Sequence, residues 1–276
     1  MHYRAICADI DGTLLNKERQ LSPKTIQVIR SLGKNFPVIL ASSRMPSAMR
    51  HLQTELDIEH HPLIAYNGGY VLQYDGETRY EFSSVEIPAS VVLRILELSE
   101  GTSIHNSLYR KDKWYAPAYD QWTEREERIT KVKSIVKDVV VIAKDWASKG
   151  TGAHKVMCMG AESEIHQLEQ DLNKHLSNEI HVYRSRPTYL ELAPKVISKA
   201  TGLSLLLEKL YDFPIENVIC FGDNYNDIDM LTQAGLGVAV ANAKEEVKAV
   251  AGEITGSSID DGVASAIEKH CLPKRN

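Results

Sequence analysis

Asp9-Ile10-Asp11-Gly12-Thr13 carries two carboxylates two residues apart, and side chains at that spacing share one face of an extended segment. Two such charges about 4 Å apart repel by roughly 4 kcal/mol at an effective dielectric of 20. Gly12 lets the backbone turn sharply there, and Thr13 can bond back to the turn. A second acidic pair, Asp223 and Asp227 in Gly222-Asp223-Asn224-Tyr225-Asn226-Asp227, stands four apart across a helix start. First-turn N–H groups there help hold negative charge. If these acids meet, a hard, oxygen-seeking divalent cation must hold them together, and Mg²⁺ with its water-rich octahedral shell suits that task. Ala41-Ser42-Ser43-Arg44 follows another apolar run; a hydroxyl at a strand–helix junction suits phosphate oxygens, and suits an N-cap equally well. Lys199, in Val196-Ile197-Ser198-Lys199, gains interest only from its place at the start of a helix.

The elements that must position these groups alternate. The pattern predicts a strand over 3–8, a helix opened by Ser22-Pro23 and closed by Gly33, a strand over 36–41, a helix over 46–56 and a strand over 63–66. Strands alternating with helices of this length indicate a parallel sheet with right-handed crossovers. After Tyr70 the pattern changes. Runs 70–74 and 78–82 flank Asp75-Gly76 as a hairpin, 107–110 and 113–116 flank Lys111-Asp112 as another, and a helix over 161–176 precedes strands at 180–184 and 188–192. Alternation resumes with a helix from Lys199 to about Tyr211, a strand over 218–221, a helix after Tyr225, a strand over 236–240, and helices over 244–250 and 260–270. The expected fold is α/β: a doubly wound, Rossmann-like parallel core of residues 1–84 and 193–276, interrupted by an α+β domain of 85–192. In an open parallel sheet ligands bind beyond the carboxyl ends of the strands, so Asp9, Asp11, Ser42, Lys199, Asp223 and Asp227 can converge.

The bulk properties narrow the setting. With 276 residues, 43% hydrophobic and 25% charged, the chain is an ordinary globular one. A net charge of −5 gives no electrostatic reason to bind nucleic acid or an anionic membrane. The longest apolar runs, such as the VVVIA of 139–143, are strand-length, too short for a membrane span. The N-terminal residues show no apolar signal core, and Cys7, Cys158, Cys220 and Cys271 form no C-x-x-C pair, so a cytoplasmic protein with free thiols is expected. It should act on a small molecule as a monomer or weak homo-oligomer.

DIDGTLL, ASSR, YNGG, VISK and GDNYNDIDM, in that order, resemble the haloacid dehalogenase superfamily, and most closely its Cof-type sugar-phosphate phosphatases, which carry a large α/β cap after the third strand. Ala241-Asn242-Ala243 and the SSIDDGV of 257–263 extend the resemblance along nearly the whole chain. It implies Asp9 as the nucleophile that takes the phosphoryl group, and Asp11 as general acid and then base. It implies Mg²⁺ held by Asp9, the Asp11 carbonyl and Asp223, with Asp227 ligating or supporting. Ser42, Lys199 and Asn226 would bind phosphate, with Ile10 and Ser43 beside it. Ser43, Lys195 and Ala200 stand where family members often have glycine. The cap would close over the phosphoester about hinges at 85–88 and 192–194. Trp114, Tyr115, Tyr119 and Trp122 would either wall the substrate or pack the cap core, and Arg186 is a candidate anion contact. The expected activity is Mg²⁺-dependent hydrolysis of small phosphorylated metabolites, sugar phosphates first. A phosphomutase, or a sugar-phosphate sensor with vestigial hydrolysis, is the alternative.

Overall fold

In the computed structural model, which describes residues 3–273, strand β1 (Ala5–Ala8) is buried along its whole length. A turn leads to α1 (Pro23–Ser31), whose first N–H groups are capped by Ser22 Oγ, 3.0 Å from the Thr25 nitrogen. Then follow β2 (Val38–Ala41), α2 (Ser47–Leu56), β3 (Leu63–Ala65) and the hairpin β4 (Tyr70–Asp75) and β5 (Thr78–Ser84). The inserted stretch runs β6 (Ile87–Pro88), α3 (Ala89–Leu98), β7 (His105–Arg110), β8 (Lys113–Ala116), α4 (Gln121–Thr130), β9 (Ile135–Val136), α5 (Val139–Ser148), β10 (Gly152–Ala153), β11 (Lys155–Met159), α6 (Glu162–Leu176), β12 (Ile180–Arg186) and β13 (Tyr189–Pro194). The chain then returns through α7 (Lys199–Leu210), β14 (Val218–Gly222), α8 (Ile228–Gln233), β15 (Leu236–Val240), α9 (Glu245–Val250), β16 (Glu253–Thr255) and α10 (Gly262–Cys271).

Two compact units result: one from the residues up to Ser43, Met49–Ser83 and Ser198 onward, the other from Arg44–Ala48 and Ser84–Ile197. The first holds an eight-stranded sheet in the order β16-β15-β14-β1-β2-β3-β4-β5. From β16 to β3 every pairing is parallel, and β4 turns antiparallel to β3. The strands of the middle are apolar on both faces, as a sheet covered on both sides requires. The order reverses at β1, which hands the chain to β2 on one side and receives β14 on the other. That switch point is where such sheets open a crevice.

The second unit has a six-stranded sheet, β12-β13-β11-β7-β8-β9, antiparallel apart from β8 with β9. Alternate residues Leu108, Val156, Cys158, Leu190 and Leu192 pack with Val92, Ile95, Ile142, Leu168 and Leu172 of the helices. Each such side chain contributes about 1.5–3 kcal/mol on burial. The VVVIA run is helical, at the start of α5, and not a strand. Asp138 Oδ1 accepts from the Val140 and Val141 nitrogens at 2.8 and 3.2 Å, and Val139, Ile142, Ala143 and Trp146 form the buried stripe while Val140 and Val141 face out. Edge strand β16 was absent from the sequence pattern; three residues with Glu253 first are too short to show a period. Among the described residues no helix is long and apolar enough to cross a membrane.

Candidate active site

Asp9 leaves β1 with its N–H donating to the Phe221 carbonyl of β14 at 3.0 Å, so the carboxyl ends of these two strands are locked side by side. The next five residues, Ile10–Leu14, make a kinked turn, with Asp11 extended at ψ 113°, closed by the Leu15 N–H on the Ile10 carbonyl at 3.1 Å. Gly12 takes φ +88° within it, and a Cβ there would collide with the Asp223 carboxylate. Only glycine lets these two segments touch. Thr13 Oγ1 donates to Asp223 Oδ1 at 3.1 Å, and Asn242 Nδ2 donates to the Gly12 carbonyl at 2.8 Å. The turn is thus tied to both β14 and the loop after β15.

Lys199 is the first residue of α7. Ser198 caps that helix reciprocally with Thr201, and Gly68, at φ +102°, lets the loop after β3 press on the Ser198 carbonyl. The lysine is wholly enclosed, with Nζ 2.5 Å from Asp9 Oδ1 and 2.7 Å from Asp227 Oδ1. Asp227 Oδ2 accepts the N–H groups of Asp223 and Asn224 at 2.9 and 3.0 Å. Both oxygens of Asp227 are therefore engaged by the protein, which suits it to supporting the cluster more than to ligating a metal.

Carboxylate oxygens of Asp9, Asp223 and Asp227 lie within 4.8 Å of one another, against one lysine. The electrostatics record the excess. Burial, then Asp227, pushes Asp223 up to about 6, with Thr13 and Lys199 pulling the other way. Burial raises Asp9 well above the usual carboxylate range, with Asp227 and Asp223 adding to it and Lys199 opposing. Burial works against the charge of Lys199, yet Asp227 and Asp9 hold its ammonium well above the ordinary lysine value. An all-oxygen donor set with more negative charge than the protein neutralises fits a hard divalent cation. Asp9 and Asp223 are the side chains able to take it.

Ser42 stands one strand over from Asp9, at the end of β2, and is almost fully buried; Ser43, next to it, is half-buried. The Ser42 carbonyl accepts the Asn67 N–H at 2.9 Å, and Asn67 Oδ1 accepts from Asn226 Nδ2 at 2.9 Å. Asn67, at φ +56°, thus connects Ser42 to Asn226. Ile10 has a fully buried side chain, so only its backbone can face a ligand. Asp11, the one acid outside the three-carboxylate cluster, has Arg19 Nη2 against its Oδ1 at 2.5 Å. Arg19 was not singled out from the sequence; Thr13, Asn67 and Asn242 were named there within DIDGTLL, YNGG and Ala241-Asn242-Ala243, without their contacts to Asp223, Asn226 and the Gly12 carbonyl. In the second unit Trp114 is completely buried, stacked on Tyr109 with centroids 5.4 Å apart. Its chain neighbour Tyr115 packs against the helix-covered core opposite Leu108, so Trp114 and Tyr109 lie on the other face of that sheet.

The haloacid dehalogenase-like hydrolase family matches residues 6–267. A pyridoxal phosphate phosphatase of Escherichia coli is 28% identical, the match covering 99% of this chain and 100% of that one. A 5-amino-6-(5-phospho-D-ribitylamino)uracil phosphatase of Bacillus subtilis is 28% identical over 96% of each chain. Among solved structures, a haloacid dehalogenase-like hydrolase from Bacteroides thetaiotaomicron superposes with a TM-score of 0.85 at 30% identity, covering 97% of this chain and 99% of that one. A Thermotoga maritima protein reaches 0.86 at 28% identity over 98% of each. The chain belongs to the haloacid dehalogenase-like hydrolases, as a phosphoric monoester hydrolase of that family.

Proposed function

We propose that the protein is a Mg²⁺-dependent phosphatase of small phosphorylated metabolites, sugar phosphates first, working through an aspartyl phosphate on Asp9. The observation that carries this is the Asp9 carboxylate, fixed through Oδ1 by an enclosed lysine in a cluster with surplus negative charge. Phosphate-monoester hydrolysis is among the slowest uncatalysed reactions, so dividing it into two displacements matters. In the first, an Asp9 oxygen attacks phosphorus, the bond from phosphorus to the leaving oxygen breaks, and Asp11 gives that oxygen its proton. In the second, Asp11 takes a proton from water, the water oxygen attacks phosphorus, and the bond to Asp9 breaks, returning the carboxylate and free phosphate. Lys199 has three N–H donors and spends two on Asp9 and Asp227; the third goes to a phosphate oxygen. Ser42 and Asn226 contribute further donors, with the Ile10 and Ser43 backbone alongside. Asp9, Asp223 and the Asp11 carbonyl would hold Mg²⁺, which would supply positive charge against the phosphate oxygens.

The free thiols and the net charge of −5 support a cytoplasmic enzyme that acts on a small molecule, apart from nucleic acid and membrane, as a monomer or weak homo-oligomer. The test is phosphate release from a panel of sugar phosphates, pyridoxal phosphate and a phosphoribityl compound, with MgCl₂ or with chelator, for wild type and Asp9→Asn. Release that requires both the metal and Asp9 is expected. Release that survives the chelator removes Mg²⁺ from the reading.

A further inference from the structure

Arg19 is a cation that a hydrogen bond ties to a candidate catalytic acid, Asp11. It sits in a tight turn. The Asn16 N–H donates to the Gln20 carbonyl at 3.0 Å, the Arg19 N–H to the Asn16 carbonyl at 3.0 Å, and the Gln20 N–H to Asn16 Oδ1 at 2.9 Å. Arg19 itself takes φ +60°, a conformation that costs a side-chain-bearing residue about 1–2 kcal/mol. The turn over-determines that strain. Its result is a guanidinium delivered to Asp11, with Nη2 against Oδ1, while the neighbouring Nε is buried with no hydrogen-bond partner among the described residues.

Stability does not account for the pair. Both side chains are more than a third exposed, and ion pairs of that kind are worth about 0–1 kcal/mol. Orientation does account for it. Asp11 lies in the sharp turn beside a carboxylate cluster, its charge adding to the rise in Asp223, and the Arg19 guanidinium sets a positive charge against its Oδ1. Nη2 and Nε form one edge of the guanidinium, the edge that grips a carboxylate in a two-point fork. One point, Nη2 on Oδ1, is made, and Nε is left without a hydrogen-bond partner among the described residues.

We propose that Arg19 is a positioning residue for Asp11, holding its carboxyl group in line with the leaving oxygen. This rests on the reading of Asp11 as acid and base. Arg19 keeps its own proton throughout; the proton that reaches the leaving oxygen comes from Asp11.

The test is single-turnover release of the leaving group by rapid quench, with glucose 6-phosphate, whose alkoxide needs a proton, and 4-nitrophenyl phosphate, whose phenolate does not. Arg19→Gln should slow sugar release by about 10–50-fold, within the range a general acid supplies. Release of 4-nitrophenolate and KM for both substrates should stay within about threefold. Arg19→Lys, which keeps the charge and loses the fork, should recover sugar release to within about fivefold of wild type. In an Asp11→Ala background Arg19→Gln should have less than about a twofold effect, as coupled residues do. Equal slowing of both substrates, a rise in KM at constant kcat, or a full effect without Asp11 would overturn the proposal. If Asp11→Ala slows the two substrates alike, the acid assignment fails and takes the proposal with it. If Asp11→Ala discriminates and Arg19→Gln does not, only the role of Arg19 falls.

Discussion

The surplus of buried carboxylate over buried ammonium dominates the chemistry of single residues here. Asp223 has its pKa pushed to about 6, against 3.8 for an ordinary aspartate. Below about 4 the folded and unfolded chains both carry that proton, and the stability it allows is fully present. As pH rises through 6 the folded chain must surrender the proton into the cluster, and stability is lost. The metal-free protein should therefore melt at a lower temperature at pH 7.5 than at pH 5, with about 1.4 kcal/mol of stability lost from this group between the two. MgCl₂ should restore the melting temperature at pH 7.5 and do little at pH 5, where the ligands are protonated. An equal Mg²⁺ effect at both values would mean the acids do not hold the metal. Lys199→Ala strips the cluster of its counter-charge and should cost about 3–5 kcal/mol in metal-free protein at pH 7, read by urea unfolding. The acids and Lys199 could be picked out from the sequence because each follows a strand or opens a helix. Their partners could not. Thr13 meets Asp223, and Asn67 meets Asn226, across separations of 210 and 159 residues that only the sheet order closes.

At the scale of elements, the placement of Lys199 depends on one loop and one helix start. Gly68 lies so close to Ser198 that a side chain would strike its carbonyl oxygen, and its φ of +102° excludes other residues independently. Gly68→Ala should lower stability by about 2–4 kcal/mol, combining backbone strain with overpacking. It should also reduce kcat more than tenfold, since shifting a catalytic group by about 1 Å can cost about a hundredfold. Urea unfolding and phosphate release measure the two parts. Unchanged kcat in a folded variant would show that the start of α7 does not set the lysine. Helices with a proline or capping residue and a closing glycine, such as α1, were readable from sequence to within two residues. The start of α5 was not, because VVVIA suits a strand by composition. The Asp138 cap and Trp146, one turn beyond the run, decide for the helix.

The whole molecule combines a parallel sheet that sets out the candidate catalytic groups with an inserted unit that has a core of its own. The sequence led to an expected insertion over 85–192 because strand–helix alternation stops at Tyr70 and resumes at Lys199; that Arg44–Ala48 would join the second unit left no mark in the pattern. What the inserted unit recognises does not follow, since its aromatic residues read the same whether they face a ligand or a core. Trp114 is fully buried on the sheet face away from the helix-packed core, and its Nε1 donates to the Val132 carbonyl at 3.2 Å. Trp114→Ala should destabilise by about 3–5 kcal/mol and leave the rank order of substrates unchanged. A reordered panel without loss of stability would put Trp114 at the substrate. In the proposed mechanism turnover passes through a bond between Asp9 and phosphorus, and that bond can be trapped. Wild-type protein quenched during turnover with Mg²⁺ and substrate, then treated with borohydride, should yield homoserine at position 9 in the peptide spectrum, because borohydride reduces an acyl phosphate and spares a free carboxylate. Rapid phosphate release with Asp9 unmodified, or with the modification on another acid, would contradict the account.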